Sequence, residues 1–258
     1  MPIITLTSDL GNKDPYIASV KGYIYRHIPN AIVVDISHSI ATFNIAEASY
    51  IVKNAYKEFP SDTIHIIGID ASYEPMNLIG VKTRDGIFFA HDNGVVSLIL
   101  ESELPLAVVY LPFSEEHGIF PFKSVLAAAA VKLALGTPFE QLGEIKNDYY
   151  QLANVYPPQD EFMLKGTVIH VDVFGNVVTN IHKSLYDRVV KGRNVRVYVT
   201  AREYISKIST NYTMRKEDSG SLMCLFNNND LLEVAMHRGS VSNLLGIKLG
   251  AVITIVFE

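Results

Sequence analysis

The first apolar run, Pro2 to Thr7 (PIITLT), is followed at once by the polar segment SDLGNKD, which predicts a strand buried on both faces that ends in a loop. Asp14-Pro15 supplies an N-cap and a first helical position. Behind it Tyr16, Val20, Tyr23 and Ile24 recur at helical spacing until Ile28-Pro29-Asn30 breaks the pattern. Ala31 to Ser37 (AIVVDIS) predicts a second strand. Asn44 with Glu47 three residues on has the form of a capping box, opening a helix whose face carries Ile45, Ala48, Val52, Ala55 and Phe59. Thr63 to Asp70 (TIHIIGID) is a third strand. A β-α-β-α-β run implies right-handed crossovers and a parallel sheet, whose ligand edge lies at the C-terminal ends of the strands.

Leu78 to Arg84 and Ile87 to His91 read as a hairpin turned at Asp85-Gly86, and Asp92-Asn93-Gly94 leads into a short helix, Val95 to Leu100. A strand at Ala107 to Leu111 precedes an alanine-rich helix, Ser124 to Leu135, closed by Gly136 and Pro138. The pattern then loses its period and turns polar, with Pro157-Pro158 inside it. Beyond it, Leu164 to Asp172, Asn176 to Ile181, Asn194 to Thr200, Leu222 to Phe226, Leu231 to Met236 and Ala251 to Phe257 all alternate as strands between Gly, Asn and Ser turns. The expected organisation is an α/β N-terminal domain with a mostly parallel sheet over 1–140, a linker over 141–162, and an all-β, barrel-like domain over 163–258.

Composition narrows the function. The 258 residues are 48% hydrophobic and 19% charged, as in globular chains, and 22 basic against 27 acidic residues leave a net charge of −5. No Lys/Arg cluster would neutralise a run of phosphates, so nucleic acid is not an expected partner. No signal peptide or membrane-length apolar run is found, and one cysteine, Cys224, makes neither an internal disulfide nor a thiolate metal site. The expectation is a cytoplasmic protein without membrane partners.

Asp9, Asp35 and Asp70 end or nearly end three strands, with Asp14 just after the first, so carboxylates gather at the ligand edge. Neither G-x-G-x-x-G nor G-x-x-x-x-G-K-[ST] occurs, so the backbone nests that cradle polyphosphate are missing. Carboxylates suit a metal ion, ribose hydroxyls or a cationic ligand such as a sulfonium, and the acidic edge does not choose among them. A metal-assisted phosphoester hydrolase using Asp9, Asp14, Asp35 and Asp70 is one reading. His38, His91 and His117 stand near strand ends but lack the spacing of metal ligands, and no metal site is expected. In HVDVFGNVVTNIH, Asp172 and Asn176 flank Phe174-Gly175. This combination offers an acceptor, an amide and a flat apolar face to a purine, or else a bulged hairpin with Asx turns.

Three separated motifs, TLTSDLGNKDPYIASVKG at 5–22, FFAHDNGVVS at 88–97 and HVDVFGNVVTNIH at 170–182, closely resemble those of the SAM hydroxide adenosyltransferases, relatives of the SAM-dependent fluorinase and chlorinase. The resemblance implies S-adenosylmethionine (SAM) as substrate with no cofactor. It also implies adenosine and methionine as products, and a homotrimer with sites between the N-terminal domain of one subunit and the C-terminal domain of the next. It assigns Asp9 to the ribose hydroxyls, Asp14 to the loop facing the methionine part and Phe43 to the sugar. Asp172, Phe174 and Asn176 would take the adenine and methionine ends, and Asn228 would stand where the family has a serine touching the methionine carboxylate.

The resemblance further implies that an Asp, an Arg seven residues later and a His opening a helix orient the water that attacks C5′ of SAM. Asp70 matches the first. Asn77 stands at the arginine position and Pro121 at the histidine, with His117 four residues before it. Asn77 can orient a water but carries no charge to lower its pKa. The expectations are hydrolysis carried by Asp70 and Asn77, or a different nucleophile, or binding of SAM or adenosine without turnover. Halide transfer is disfavoured, because Asp70 in the pocket wall would repel the anion.

Overall fold

The computed structural model describes residues 1–71, 77–153, 156–212 and 220–258. It divides into two compact units, Met1–Asn154 and Val155–Glu258. The first runs β1 (Ile3–Ser8), α1 (Tyr16–His27), β2 (Ile32–Ser37), α2 (Ile45–Lys53), β3 (Ile64–Gly68), β4 (Leu78–Lys82), β5 (Ile87–His91), α3 (Val95–Leu100), β6 (Ala107–Tyr110), α4 (Ala128–Ala134) and β7 (Glu144–Lys146). Its sheet has the order β2-β1-β3-β5-β4-β6-β7. The ladder is parallel from β2 through β1 and β3 to β5, and antiparallel from β5 through β4 and β6 to β7.

These strands are mostly apolar on both faces because they serve two cores. Successive side chains of a strand point to opposite faces. Ile4, Leu6, Ile64, Ile66 and Phe89 therefore join the α1 and α4 side with Val20, Ile24 and Leu126, while Ile67, Ile69, Phe88 and Ala90 join the α2 and α3 side with Val52, Val95 and Ile99. A sheet covered on both faces leaves its strand ends as the accessible edge.

Local chemistry explains the element boundaries. The Asn44 side chain accepts the Glu47 N–H at 3.1 Å, and the Glu47 carboxylate reaches back to the Ala41 N–H at 3.0 Å, so the capping pair forms with its return bond displaced to Ala41. Asp14 does not cap α1, contrary to the pattern: Pro15 occupies the cap position and no side-chain cap bond is made. The helix expected from Ser124 begins earlier, as a π-helical turn over Phe122–Ala127. Gly68 is the reason for close packing there. A Cβ at Gly68 would lie 2.7 Å from the Phe122 ring, so only glycine lets this ring sit against the sheet. Residues 144–146, in the stretch expected to connect the two halves, add an edge strand antiparallel to β6. Three residues are too few to show a period.

The second unit holds β8 (Met163–Val171), β9 (Val177–His182), α5 (Lys183–Val190), β10 (Val195–Tyr198), β11 (Tyr204–Ile205), β12 (Ile208–Ser209), β13 (Leu222–Phe226), β14 (Leu231–Met236), α6 (Val241–Leu245) and β15 (Val252–Phe257). Its eight strands follow the order β11-β10-β15-β8-β9-β14-β13-β12, and β11 comes back into contact with β13, so the sheet curls into a nearly closed barrel. The two short helices are additions to the all-strand expectation. Leu185, Tyr186 and Val189 of α5 pack on the barrel core that Val190 helps to form. His182 caps that helix by accepting the Ser184 N–H.

His65 on β3 illustrates the cost of polar groups in this core. It is fully buried, its Nδ1 lies 2.8 Å from Thr5 Oγ1, and its ring stacks on Phe88 at 5.1 Å. Burial pushes its pKa down to about 4. The unfolded chain takes up the proton near pH 6.5 and the folded chain only near 4, so the stability due to neutral His65 is complete above 6.5 and is lost as pH falls through that window. In urea unfolding measured at pH 7 and pH 4, His65→Phe should flatten the fall in unfolding free energy by roughly 3 kcal/mol relative to the parent. An identical pH dependence in the two proteins would contradict this assignment.

Candidate active site

The C-terminal edge of the first sheet is organised by one carboxylate. Asp9 follows β1, and its Oδ2 accepts the Phe43 N–H at 2.9 Å and approaches the Asp70 N–H at 3.4 Å. The second bond is long and weak by comparison. Phe43 and Asp70 both have positive φ, 65° and 50° respectively. Such a backbone is uncommon for non-glycine residues and is held only where surrounding contacts over-determine it. One oxygen thus gathers the β1 end, the β2–α2 loop and the β3 end. It leaves Asp9 Oδ1 without a hydrogen-bond partner among the described residues and the Phe43 ring 61% exposed.

The FFAHDNGVVS segment clamps the Asp70 loop from the other side. Asn93 Nδ2 donates to the Ile69 carbonyl at 3.0 Å while its Oδ1 accepts the Val95 N–H at 3.2 Å. Asp92 accepts the Tyr110 hydroxyl at 2.6 Å and the Tyr150 N–H at 2.7 Å. Burial, reinforced by Asp92, raises the Tyr110 pKa and keeps the phenol a donor. Asp92 and Asn93 are therefore scaffold. His91, at the end of β5, is buried beside this loop.

The other acidic and histidine candidates lie elsewhere. Asp35 bonds Lys21 at 2.5 Å and lies 3.1 Å from His38 Nε2. Burial alone would raise its carboxyl, but these two partners hold it below the usual carboxylate range. His38 Nδ1 lies 2.7 Å from Ser8 Oγ. Asp14 is exposed and makes no side-chain hydrogen bond among the described residues. Asn77 lines a separate open groove of about 450 Å³ with Tyr110, Phe113, Lys146 and Asp148, which neither Asp9 nor Asp70 lines. His117 uses Nδ1 to cap its own turn at Ser114, and Pro121 opens the π-helical turn. Among the described residues, no three His, Cys, Asp or Glu side chains converge to hold a metal.

The second unit carries a self-supporting loop between β8 and β9. Asp172 Oδ1 accepts the N–H groups of Phe174 at 2.9 Å and Asn176 at 2.8 Å, and its Oδ2 accepts Asn176 Nδ2 at 2.9 Å. Gly175 has φ +79°, and a Cβ there would fall 1.9 Å from Ser240 Oγ, so glycine is required twice over. Asp172 thus spends both oxygens orienting Asn176, and the Phe174 ring stands 72% exposed. These residues line a cavity of about 500 Å³ together with Tyr212, Met236 and Arg238. Tyr212 is set by its hydrogen bond to Glu233 at 2.8 Å, and burial raises the Glu233 pKa. Tyr212 and Arg238 were not singled out by the sequence pattern, although a glutamate inside the apolar run LLEVAM marks the buried network. Asn228 is exposed on the turn at the opposite end of the β13–β14 hairpin and does not line this cavity.

Comparison with known proteins decides the family. The SAM hydroxide adenosyltransferase N-terminal domain matches residues 4–143 and the C-terminal domain of the same name matches residues 166–254. The chain belongs to the SAM hydroxide adenosyltransferase family. Two relatives named (R)-S-adenosyl-L-methionine hydrolase are similar along nearly their whole lengths. The Methanocaldococcus jannaschii protein is 27% identical, with 96% of this chain and 93% of the relative covered. The Thermus thermophilus protein is 28% identical, with 94% and 95% covered. A fluorinase from Actinopolyspora mzabensis is 24% identical over 70% of this chain and 72% of its own. Among solved structures, an uncharacterized conserved protein from Thermotoga maritima superposes with a TM-score of 0.86 at 29% identity, covering 98% of this chain and 99% of that one. In this member of the SAM hydroxide adenosyltransferases, the motifs that carry the likeness hold the Asp9 and Asp172 networks. Asp172→Ala should raise the hydrogen-exchange rates of the Phe174 and Asn176 amides roughly 10- to 100-fold, as expected for loss of hydrogen bonds to a charged acceptor. Unchanged exchange at both amides would contradict the role given to Asp172.

Proposed function

We propose that the protein hydrolyses SAM to adenosine and methionine by attack of water at C5′. The single observation that carries this reading is the Asp9–Phe43–Asp70 cluster: a phosphate-free acidic edge whose backbone is held in a left-handed geometry at two points. Membership of the family and the names of the relatives support it, and those names specify the R configuration. In this reading the unpartnered Oδ1 of Asp9 takes the ribose hydroxyls, and Phe43 covers the sugar. Asp14 faces the methionine part and Phe174 and Asn176 take the adenine; Asn228, at the far end of its hairpin from them, is not given the methionine carboxylate.

The reaction needs little help at the leaving group. The water oxygen forms a bond to C5′, the C5′–S pair stays on sulfur, and methionine departs as a neutral thioether while one water proton is released. What the protein must supply is a positioned, partly deprotonated water close to the sulfonium. Asp70 is the group assigned to hold that water; Asn77, expected as a neutral second contact, lines the separate groove and is not given that role. A carboxylate in this place also favours water over a halide anion, which it would repel.

The proposal includes a cytoplasmic homotrimer in which the Asp9 cluster of one subunit faces the Asp172 loop of the next. Pure protein incubated with SAM should form adenosine and methionine in equal amounts, read by chromatography, and Asp70→Ala should abolish them. Asp9→Ala and Asn176→Ala should each be inactive alone, and activity should return after denaturation and joint refolding, because each mixed trimer holds one intact boundary. Saturable SAM binding with no product would select the non-catalytic reading. Active wild type with no recovery in the mixture would reject the intersubunit site.

A further inference from the structure

We propose that His91 is the proton acceptor for the attacking water, a role that rests on the hydrolase reading and adds a residue to it. His91 is 2% exposed, and neither of its ring nitrogens has a hydrogen-bond partner among the described residues. Buried polar groups are paired in the great majority of cases, so an imidazole left open at both nitrogens calls for a reason. The other buried histidines are each engaged at Nδ1, His65 with Thr5 and His38 with Ser8, and only their Nε2 atoms lack a hydrogen bond among the described residues.

Position supplies the reason. His91 is the last residue of β5, at the same sheet edge as Asp9 and Asp70. Alternation along β5 puts its side chain on the face of Phe89, which is the face of Leu78, its partner in β4, and of Phe122. The β3 ladder sets Ile67 beside Ala90, so the position next to His91 on that side is Gly68, which contributes no side chain. Pro121, opening the π-helical turn on this face, offers no proton acceptor. The imidazole is thus a basic group of this face at the strand ends, where His38 is already bonded to Ser8, and it lies two residues of β-alternation away from a core phenylalanine.

The electrostatics leave the free ring uncharged and weakly basic, so the nearby carboxylates have to raise its basicity as the proton arrives. Burial lowers the His91 pKa to about 4, against the opposing pull of the Asp70 and Asp9 charges. Among the described groups around it, Leu78 and Phe122 carry no charge, Lys123 is turned to Ser19, and Asp92 is engaged by Tyr110 and Tyr150. At neutral pH the ring is therefore an uncharged acceptor. As the water oxygen bonds to C5′ and the C5′–S pair leaves with methionine, a water proton passes to the ring nitrogen. The two carboxylates then stabilise the imidazolium until that proton returns to solvent.

Steady-state hydrolysis of SAM by His91→Phe, His91→Gln and His91→Ala tests this, with adenosine affinity measured by calorimetry on the same proteins. A positioned base contributes roughly 10²- to 10⁴-fold, so kcat should fall by at least about 10²-fold in all three. KM and adenosine affinity should stay within about threefold, and added imidazole should partly restore His91→Ala. A glutamine variant within threefold of wild-type kcat would overturn the proposal, since glutamine hydrogen-bonds but accepts no proton. Loss of adenosine binding or of folded protein in step with kcat in every variant would make His91 structural and overturn it too. Absence of adenosine formation by the wild type removes the hydrolase reading itself, a result the variants cannot mimic.

Discussion

A single carboxylate oxygen, Oδ2 of Asp9, underlies the geometry of the first unit's functional edge. It takes N–H groups from residues 34 and 61 positions away in the chain, firmly at Phe43 and weakly at Asp70, and helps to hold both in left-handed backbone conformations. A charged acceptor is well suited to this, because its hydrogen bonds are about twice as strong as neutral ones and can offset backbone strain of order 1–3 kcal/mol per residue. Asn93 completes the clamp by fixing the carbonyl just before Asp70. The result is an acidic, preorganised edge with no phosphate-binding nest among the described residues, the arrangement on which the proposed binding of a cationic nucleoside rests.

The second unit repeats the strategy with different parts. Asp172 stabilises its own loop and presents Asn176 and Phe174 at a cavity also walled by Tyr212 and Arg238. In both units an aspartate that sequence reading assigns to the ligand does structural work with at least one oxygen. Substitutions at Asp9 and Asp172 will therefore disturb loop geometry as well as any direct contact, and double-mutant cycles are the means to separate the two.

Much of this fold is legible in the chain because burial writes itself into period. Strands covered on both faces are mostly apolar, and β1, β3 and β5 are, with buried polar exceptions such as Thr5, His65 and His91. What local pattern cannot carry is what depends on distant residues. The π-helical turn at Phe122 exists beside Gly68 on another element, and β7 is three residues long. Helix α5 has a readable apolar stripe, Leu185 with Tyr186 and Val189, but it lies between strong strand signals. At the site, the convergence of Asp9 and Asp70 follows from strand order and was readable. The exclusion of Asp35 follows from its ion pair with Lys21, which only the packing of α1 on the sheet reveals. The open ring nitrogens of His91 are likewise invisible until every neighbour is placed.

The most direct test of water attack at C5′ is turnover of SAM in ¹⁸O-labelled water with mass spectrometry of both products. The account predicts one ¹⁸O in the 5′-hydroxyl of adenosine and none in methionine. Adenosine without the label, or a nucleoside product other than adenosine, would contradict it.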